Sequence, residues 1–331
     1  MILILNCGSQ SIKWKLFSDD LCVKKEGIVR QEQKGYEKAL IAELAKVRKF
    51  DVSLVGHRFV HGGSLFQKPT IITKQNLKKL ESLNKLAPLH NPYNILGIKF
   101  SQSVFPKAKQ VAVFDTEFFI NLPPKAFTYA LPEKIIKKYG IRRFGFHGIS
   151  HEYALTQAET ILQRPLENVI TCHLGGGSSI CAIKKRVAVD TSMGFTPLDG
   201  LVMMTRAGSL DPGIVLFLAG KIGDIEGVLN HESGLMGICN MSDMRKIVSA
   251  KSQKAKLALD VYVYAIQKYI GAYFAILGGC DALVFTGAIG AGSAFIVNMI
   301  CKDLSILKNT KVLSVKPDEE LALAKKISYG R

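Results

Sequence analysis

Short apolar runs alternate with longer amphipathic segments along the first third of the chain. Two Ile- and Leu-rich runs, residues 1–6 and 11–17, are joined by Cys7-Gly8-Ser9-Gln10, a polar connection that is typical of a hairpin. Residues 36–47 instead repeat apolar positions every three or four residues, as an amphipathic helix does. By the same criteria we predict strands over residues 52–56 and 110–114 and helices over residues 77–86 and 94–104. This alternation indicates an α/β fold.

The second half of the chain starts as the first half does. An apolar run at residues 169–174, the loop Gly175-Gly176-Gly177 and a run at residues 179–183 repeat the strand, loop and strand of the N-terminus. Ser179-Ile180 stands 168 residues after Ser11-Ile12. Prolines between the halves break regular structure, so we place a domain boundary near residue 120. The pattern predicts an internal duplication, and two like domains facing each other would form a cleft.

A further glycine-rich segment, Thr286 to Ser293, follows an apolar strand predicted over residues 282–285 and precedes a helix predicted from Ala294. Backbone N–H groups at such a turn bind phosphate, and glycine lets the backbone approach a nucleotide. Close packing of a helix on a sheet explains any single loop of this kind equally well. Three such loops in one chain, none of them a Walker A or Rossmann fingerprint, favour a bound nucleotide.

Composition is that of an ordinary folded enzyme and leaves the class of partner open. The 331 residues are 48% hydrophobic, and their net charge of +17 favours anionic partners such as nucleotides, carboxylates or nucleic acid. The basic residues are dispersed and not interleaved with aromatic ones, so we expect no nucleic-acid partner. The apolar stretch at residues 257–277 contains Asp260, Gln267 and Lys268, which predicts a buried helix and not a membrane span.

The cysteines and the N-terminus predict a cellular compartment. Seven cysteines without a C-x-x-C pair indicate reduced thiols and neither a disulfide framework nor a zinc site. The N-terminus has no basic leader and no small-residue cleavage site. We therefore expect a cytoplasmic protein.

Two arginines and two histidines lie in glycine- or proline-flanked segments that aim side chains at a site. Arg58 follows the strand predicted over residues 52–56, and Arg206 lies in Thr205-Arg206-Ala207-Gly208. Guanidinium groups bind carboxylate and phosphate with two hydrogen bonds, although arginine more often forms a surface or structural ion pair. His90 and His147 are similarly placed, and for each a buried hydrogen-bonded role and a site role are open.

Three acidic residues have both a site interpretation and a structural one. Asp115 ends the strand predicted over residues 110–114, where α/β folds carry site residues, but it also suits the cap of the next turn. Glu319 and Glu320 begin a predicted helix, where acidic residues complement the helix dipole. The remaining histidine side chains considered, which we give a structural role, are His57, His61, His151 and His173.

Sequence blocks between residues 2 and 324 occur in the order of a known family. They are ILILNCGSQSIK, VGHRFVHGG, LAPLHNPYN, VAVFDT, IRRFGFHGISH, TCHLGGGSSI, DTSMGFTPLDGLVMMTRAGSLDPG, ESGLMGI, SDMR, DALVFTGAIG and DEELALA. On these blocks the chain resembles the acetate kinase family, of the acetate and sugar kinase, actin-like superfamily. The resemblance implies two duplicated actin-like domains with an interdomain cleft. They would comprise residues 1–119 with 318–331, and residues 120–317 with the nucleotide site and the dimer interface.

The resemblance also implies an activity. It is the reversible, in-line transfer of the γ-phosphoryl group of ATP to acetate, giving acetyl phosphate and ADP with the help of Mg²⁺ or Mn²⁺. A carboxylate acceptor is already ionised at neutral pH, so Asp115 is expected to organise the metal shell and not to act as a base. A homodimer is implied as well, and neither a nucleic acid nor a membrane is expected as a partner.

Site residues carry over from the family by motif. The metal ligands would be Asn6 and Glu319, and the catalytic residues would be Asp115, His147 and Arg206. The acid would be bound by Arg58, Val60, Leu89, His90, Phe146 and Pro197. The nucleotide would be bound by Lys13, His173, Leu174, Gly175, Gly176, Gly177, Asp243, Met244, Arg245, Ala288, Ile289, Gly290, Ala291 and Gly292.

The sequence departs from the family pattern in three places. Gly176 replaces the asparagine of HLGNG, and Ala291 and Gly292 replace the glutamate and asparagine of GGIGEN. The chain is also short for the family by roughly a sixth, most clearly between Ala294 and Val312. Two alternatives stay open. One is a propionate or butyrate kinase, because one methylene changes discrimination by only ~1–3 kcal/mol, and the other is a nucleotide-binding relative without turnover.

Overall fold

The computed structural model describes residues 1–9, 11–30 and 34–328. Gln10 of the predicted hairpin loop and residues 329–331 of the predicted N-terminal domain lie outside the described residues. The strands are β1 (Ile2–Gly8), β2 (Ser11–Phe17), β3 (Val23–Arg30), β4 (Leu54–Phe59), β5 (Thr70–Ile71), β6 (Lys109–Phe114), β7 (Asn168–Leu174), β8 (Ser178–Lys184), β9 (Val187–Thr191), β10 (Ala282–Thr286) and β11 (Lys311–Ser314).

The helices range in length from a single turn to the 25 residues of the longest helix. They are α1 (Tyr36–Ala45), α2 (Lys74–Ser82), α3 (Asn91–Val104), α4 (Pro124–Phe127), α5 (Glu133–Tyr139), α6 (Gly148–Leu162), α7 (Pro212–Ala219), α8 (Ile225–Gly227), α9 (Gly234–Cys239), α10 (Met244–Ser249), α11 (Gln253–Leu277), α12 (Gly287–Gly290), α13 (Ala294–Cys301) and α14 (Glu319–Ser328). Turns of 3-10 helix lie at Asn84–Leu86, Glu117–Phe119 and Ser305–Leu307, and a π-helical turn lies at Val228–Glu232.

The chain divides into two compact units. The first unit comprises Met1–Ile120 and Asp318–Arg331, and the second comprises Asn121–Pro317. The C-terminal helix α14 is thus part of the first unit. The domain limits expected from the sequence, with their nucleotide and dimer roles, stay a prediction.

The sheet of the first unit has the strand order β3-β2-β1-β4-β6-β5. The central strand β1 is antiparallel to β2 and parallel to β4. Its side chains alternate between the two faces of the sheet, as a strand requires. Leu3, Leu5 and Cys7 join the core formed with α1 and α3, whereas Ile4 and Asn6 face α14.

The sheet of the second unit has the order β11-β10-β7-β8-β9 and repeats the first. Strand β7 is antiparallel to β8 and parallel to β10, as β1 is to β2 and β4. Ile170, Cys172 and Leu174 pack in the core with α11, and Thr171 on the opposite face contacts α6. The duplication predicted from two similar strand-loop-strand segments is confirmed.

Several predicted elements differ from the structure. The strand predicted over residues 52–56 continues to Phe59, so Arg58 lies inside β4 and does not follow it. Pairing with β6 continues through Arg58↔Val113, and this pairing is invisible to local sequence patterns. Part of the segment expected as a glycine loop after β10 forms α12. The sequence also missed β3, because its residues are mostly exposed and lack an apolar alternation.

Helix α11 covers one face of the second sheet. Ser252 caps its first turn by accepting from the N–H of Ala255, and Gly278 ends it in a left-handed conformation. Tyr262, Ile266, Ile270 and other side chains at helical spacing are buried against the strands. Across the described ranges, no helix has the length and apolarity needed to cross a membrane.

Candidate active site

Arg58 is the centre of a hydrogen-bonded cluster in the first unit. Its Nε and Nη2 both donate to the Asp115 carboxylate, and Nη2 lies 2.7 Å from Oδ2. Its Nη1 donates to Oε2 of Glu319 at 2.9 Å. The structure therefore brings together three residues that the sequence assigned separately to acid binding, catalysis and metal binding.

Asn6 belongs to the same cluster. Its Nδ2 donates to Glu319 Oε2 and to Glu320 Oε1, both at 3.2 Å, and its Oδ1 lies 3.4 Å from Arg58 Nη1. Asn6 reaches these residues because it lies on the face of β1 that α14 covers, and both glutamates lie in the first turn of α14. Sequence reasoning gave Glu320 only a capping role and missed this contact.

The cluster combines deep burial with opposite charges. The Asp115 side chain is only 2% exposed and that of Arg58 17%. Burial raises the pKa of Asp115, and the neighbouring guanidinium opposes that shift. Burial disfavours the charge on Arg58, but the carboxylates of Asp115 and Glu319 outweigh it and raise its pKa. The paired charges hold the guanidinium in a fixed orientation, since both of its edges are engaged.

These oxygen donors suit Mg²⁺. The ion binds one or two protein carboxylates and completes an octahedron with waters and substrate phosphates. Asn6 Oδ1 and the Glu319 carboxylate are neighbours that fit this demand, with Glu320 and Asp115 behind them. Within the described residues, no group of three or more His, Cys, Asp or Glu is arranged to hold a metal by itself. A cation bound here would therefore need ligands in addition to such side chains, and the Asn6 amide oxygen and substrate phosphates are of the right type.

Two lysines extend this face of the sheet. Lys13 lies opposite Asn6 in the β1–β2 register and is exposed. Residues paired in this way share a face of the sheet, so Lys13 is on the side of the cluster. Lys15 binds Asp318, just before α14, at 2.8 Å. Lys13 thus presents an exposed amine on the face of the sheet that carries Asn6.

Two buried asparagines of α3 bind the backbone of the segment that follows Arg58. Sequence reasoning did not predict these contacts, although both asparagines belong to the block LAPLHNPYN. Asn94 accepts from the N–H of Val60 at 3.0 Å and donates to the carbonyl of Cys7 at 2.7 Å. Asn91 accepts from the N–H of His61 at 3.1 Å. His90 precedes α3 as its N-cap residue and, like Leu89, is half-buried.

In the second unit His147 and Arg206 converge on Gly177. A methyl group placed on Gly177 would lie 3.4 Å from Cε1 of His147 and 3.5 Å from Nη1 of Arg206. The guanidinium also donates to the carbonyl of Pro197 at 3.4 Å. Burial lowers the pKa of Arg206. Two donors predicted to be catalytic thus reach the end of one glycine loop.

His147 is held in an unusual backbone conformation. It is the N-cap residue of α6 with a φ of 58°, a left-handed value that non-glycine residues seldom adopt. Its ring stacks on His173, with 4.2 Å between centroids, and its Nδ1 lies 2.9 Å from Ser179 Oγ. His173 is itself oriented by Ser150 at 2.7 Å. The structure places the His173 side chain, to which the sequence gave a structural role, against the catalytic candidate.

The two glycine-rich connections of this unit lie at one edge of the sheet. Gly175, Gly176 and Gly177 follow β7, and Thr286 at the end of β10 is paired with His173. Gly287 has a φ of 82°, and a methyl group there would lie 2.4 Å from the carbonyl oxygen of Leu174. The start of α12, with Ala288, Ile289 and Gly290, therefore packs on the end of β7, directly before the first loop. Ala291 and Gly292 follow it.

The remaining nucleotide candidates lie at the start of α10. Asp243 caps this helix by accepting from the N–H of Arg245, and the Arg245 side chain binds the same carboxylate at 2.6 Å. This ion pair lowers the pKa of Asp243 to about 2. Met244 is buried in the core. The described hydrogen bonds of Asp243 and Arg245 join them to each other and do not place them at the glycine loops.

The four apolar residues assigned to the acid are divided between the units. Val60 and Leu89 are half-buried in the first unit. Pro197 is half-buried in the second, and Phe146, one residue before His147, is only 1% exposed. Each unit thus contains two of these side chains.

Known proteins match this sequence and structure over nearly the whole chain. The model of the acetokinase family matches residues 30–328. Acetate kinase from Halothermothrix orenii is 38% identical over 388 aligned residues, which cover 98% of each protein. The crystal structure of Porphyromonas gingivalis acetate kinase has a TM-score of 0.89 at 32% identity and covers 100% of this chain and 99% of that chain. A propionate kinase from Francisella tularensis has a TM-score of 0.87 at 35% identity, with 98% of each chain covered.

The comparison also bears on the shortened chain. The alignment with the H. orenii protein is longer than the 331 residues of this chain, yet it spans both almost end to end. The difference in length therefore lies inside the chain. Between Ala294 and Val312 the structure has only α13, a 3-10 turn and the start of β11.

Fold, sequence and structural similarity point to one conclusion. The duplicated sheets form the predicted two-domain actin-like fold. The enzyme is a phosphotransferase that uses a carboxyl group as acceptor. The chain belongs to the acetokinase family.

Proposed function

We propose that this protein is an acetate kinase, which transfers the γ-phosphoryl group of ATP to acetate and back, with Mg²⁺ as cofactor. The observation that carries the proposal is the convergence of His147 and Arg206 on Gly177. Transfer of a phosphoryl group between two anions needs donors aimed at the charge on the moving group, and this pair supplies them. The family and the names of the relatives supply the class of acceptor.

Arg58 is the proposed anchor of the acceptor carboxylate. Its guanidinium is held by Asp115 along one edge, and its Nη1 bonds Glu319. The carboxylate of the acceptor would bind the Arg58 guanidinium alongside Asp115 and Glu319. In this scheme Asp115 orients the arginine and the neighbouring metal ligands, because its carboxylate is already committed to Arg58.

Asn6 and Glu319 are the proposed protein ligands of the cation. Bound there with the phosphates of ATP, Mg²⁺ would neutralise charge and orient the nucleotide. Lys13, on the same face, is proposed to bind the nucleotide. These assignments are supported by the side-chain oxygens of the cluster and by their fixed hydrogen bonds.

The chain's own residues then perform three tasks without a general base. Acetate is ionised at neutral pH, so no proton has to be removed from it. Arg58 orients its oxygen for in-line attack, and His147 and Arg206 donate to the phosphoryl oxygens as charge redistributes. The backbone N–H groups of Gly175 to Gly177 are proposed to bind the phosphates of the nucleotide.

A hydroxamate assay with MgATP and acetate tests the proposal. We expect acyl hydroxamate to accumulate in proportion to enzyme, and no product when metal is removed by a chelator. Binding of ATP without any acyl phosphate would contradict the proposal and indicate a relative without turnover.

A propionate kinase is the second candidate, because a solved propionate kinase matches this fold at a TM-score of 0.87. The same assay with acetate, propionate and butyrate at equal concentrations separates the candidates. We expect the highest kcat/KM for acetate. A higher value for propionate or butyrate would assign the enzyme to that acid.

We further propose a cytoplasmic homodimer, as the family resemblance implies. Reduced thiols fit this location, and all seven cysteines are free. Light scattering on the purified protein is expected to give twice the chain mass of 36.3 kDa. A mass that stays at one chain over a wide concentration range would contradict the dimer.

A further inference from the structure

Four side chains of the second unit form a hydrogen-bonded chain that ends at His147. Ser179 Oγ lies 2.9 Å from His147 Nδ1 and 2.8 Å from His151 Nε2. Beyond it, His151 Nδ1 lies 2.7 Å from Thr171 Oγ1. Ser179, His151 and Thr171 are all 0% exposed, so bulk water does not compete for these bonds.

Helix and strand periodicity together build this chain. His147 is the N-cap residue of α6 and His151 lies in its first turn, and both rings are on the face of the helix that contacts Ser179. Thr171 on β7 and Ser179 on β8 point from the sheet toward that face. Ser179 is also paired with His173, whose ring stacks on His147.

Counting protons restricts the chain to two directions. Among the described residues the Ser179 hydroxyl contacts only these two imidazoles, so it donates its one proton to one of them and accepts from the other. If it accepts from Nε2–H of His151, it donates to Nδ1 of His147. A neutral His147 then carries its own proton on Nε2. In the opposite direction Nδ1 of His147 carries the proton, and Nε2 has only a lone pair.

We propose that Ser179 and His151 are positioning residues that hold neutral His147 in the tautomer protonated at Nε2. The inference rests on the proposed function, because only this direction makes Nε2 a donor toward an anionic phosphoryl group. The geometry agrees, since Nε2 of His147 lies 3.5 Å from the methyl position of Gly177.

The contact between His151 and Thr171 is compatible with the proposed direction. Burial lowers the pKa of His151 well below its ordinary value, so this ring is neutral and has one proton. With that proton on Nε2, its Nδ1 accepts from the Thr171 hydroxyl. Each of the three contacts then joins one donor to one acceptor, with no lone pair facing another.

Nitrogen NMR of the histidine rings in the whole enzyme tests the proposal. In the wild type we expect the two ring nitrogens of His147 to show the neutral tautomer protonated at Nε2. In Ser179→Ala the ring should lose this preference, and kcat should fall about 10- to 100-fold while KM for the acid stays unchanged. Ser179→Thr keeps the hydroxyl and should restore both the tautomer and most of the rate.

Ser192→Ala is the matched control. It removes another buried hydroxyl, which accepts from the N–H of Ile180 and contacts no imidazole. It should change neither the tautomer of His147 nor kcat. His151 is in the core, so its variants are prone to misfold. Thr171→Val is therefore the second probe. It should weaken the preference of His147 for the tautomer protonated at Nε2, but less than Ser179→Ala does.

Two results would overturn the inference. One is a wild-type His147 protonated at Nδ1 or on both nitrogens, and the other is an unchanged tautomer and kcat in Ser179→Ala. Both differ from failure of the proposed function, which would show as absence of acyl phosphate from the wild type. The NMR measurement needs no turnover, so it stays informative in that event.

Discussion

At the scale of single residues, this enzyme depends on cations and amides held by groups that do not react. Asp115 holds Arg58 by hydrogen bonds. Asn94 bonds the backbone of both Cys7, the residue after Asn6, and Val60, which follows Arg58 by two residues. His147 is held by Ser179 and by a strained backbone. Such supports align donors before substrate arrives, so less reorganisation is needed during the reaction.

Replacement of Arg206 tests the donor pair directly. We expect Arg206→Ala to lower kcat by about 10²-fold or more, because the guanidinium acts mainly on charge that develops during transfer. Steady-state kinetics with acetate and MgATP measure the effect. Arg186→Ala, which removes an exposed guanidinium paired with Glu159, should keep the normal rate. A near-normal rate in the Arg206 variant would remove it from the site.

A gain in nucleotide binding is expected from Gly176→Asn. A side chain at Gly176 meets nothing within 4 Å, so the glycine is not required by packing. The added amide should reach the phosphates and lower KM for ATP by about three- to tenfold. Gly292→Asn is the contrasting variant, because its first side-chain atom would lie 2.3 Å from the carbonyl oxygen of Ala288. The same KM for ATP and the same thermal midpoint in the two variants would contradict this prediction.

At the scale of elements, the ends of strands and helices decide where the chemistry lies. β1, β4 and β6 end beside the first turn of α14, and β7 and β10 end beside the glycine loops. Parallel strands align their carboxyl ends at one edge, so residues far apart in sequence meet there. Asn6 near the end of β1 meets Glu319 at the start of α14 across 313 positions.

The interior of α11 gives an element-scale prediction. Gly271→Ala places a methyl group where nothing lies within 4 Å, and alanine restricts the unfolded chain more than glycine does. We expect a gain of about 0.5–1 kcal/mol in the free energy of unfolding, measured with urea. Gly278→Ala should instead destabilise the protein, because that residue has a φ of 73°. Loss of stability in both variants would show that α11 is strained at Gly271.

At the scale of the whole molecule, stability depends on pH through buried histidines. Burial lowers the pKa of His57 from 6.5 to about 4, and its bond to Gln110 only partly opposes this. Between these values the unfolded chain binds a proton that the folded chain does not. The stability from neutral His57 is therefore complete above pH 6.5 and is lost as the pH falls toward about 4.

His57→Gln isolates this contribution. Glutamine retains an amide for the hydrogen bond to Gln110 but does not titrate, so thermal midpoints should fall less between pH 7 and pH 4 than in the wild type. The buried His151 shifts in the same direction and is present in both proteins. Parallel curves for the two proteins would exclude His57 as a source of the pH dependence.

Much of this molecule followed from local patterns in the sequence. Short apolar runs placed β1, β2 and β7, and the repeat of strand, glycine loop and strand predicted two similar halves. Motif spacing singled out Arg58, His147 and Arg206. Such patterns work because burial of one face imposes a period of two on strands and of 3.6 on helices.

The sequence by itself determined the fold class and the family, and it supplied the residue types that we propose for the site. Only the tertiary structure decided that Glu320 joins Asn6, that His173 stacks on His147, and that Ser179 links two imidazoles. It also extended β4 through Arg58. These contacts depend on strand pairing and helix packing between distant segments, and their distances are not encoded in any local spacing of residues.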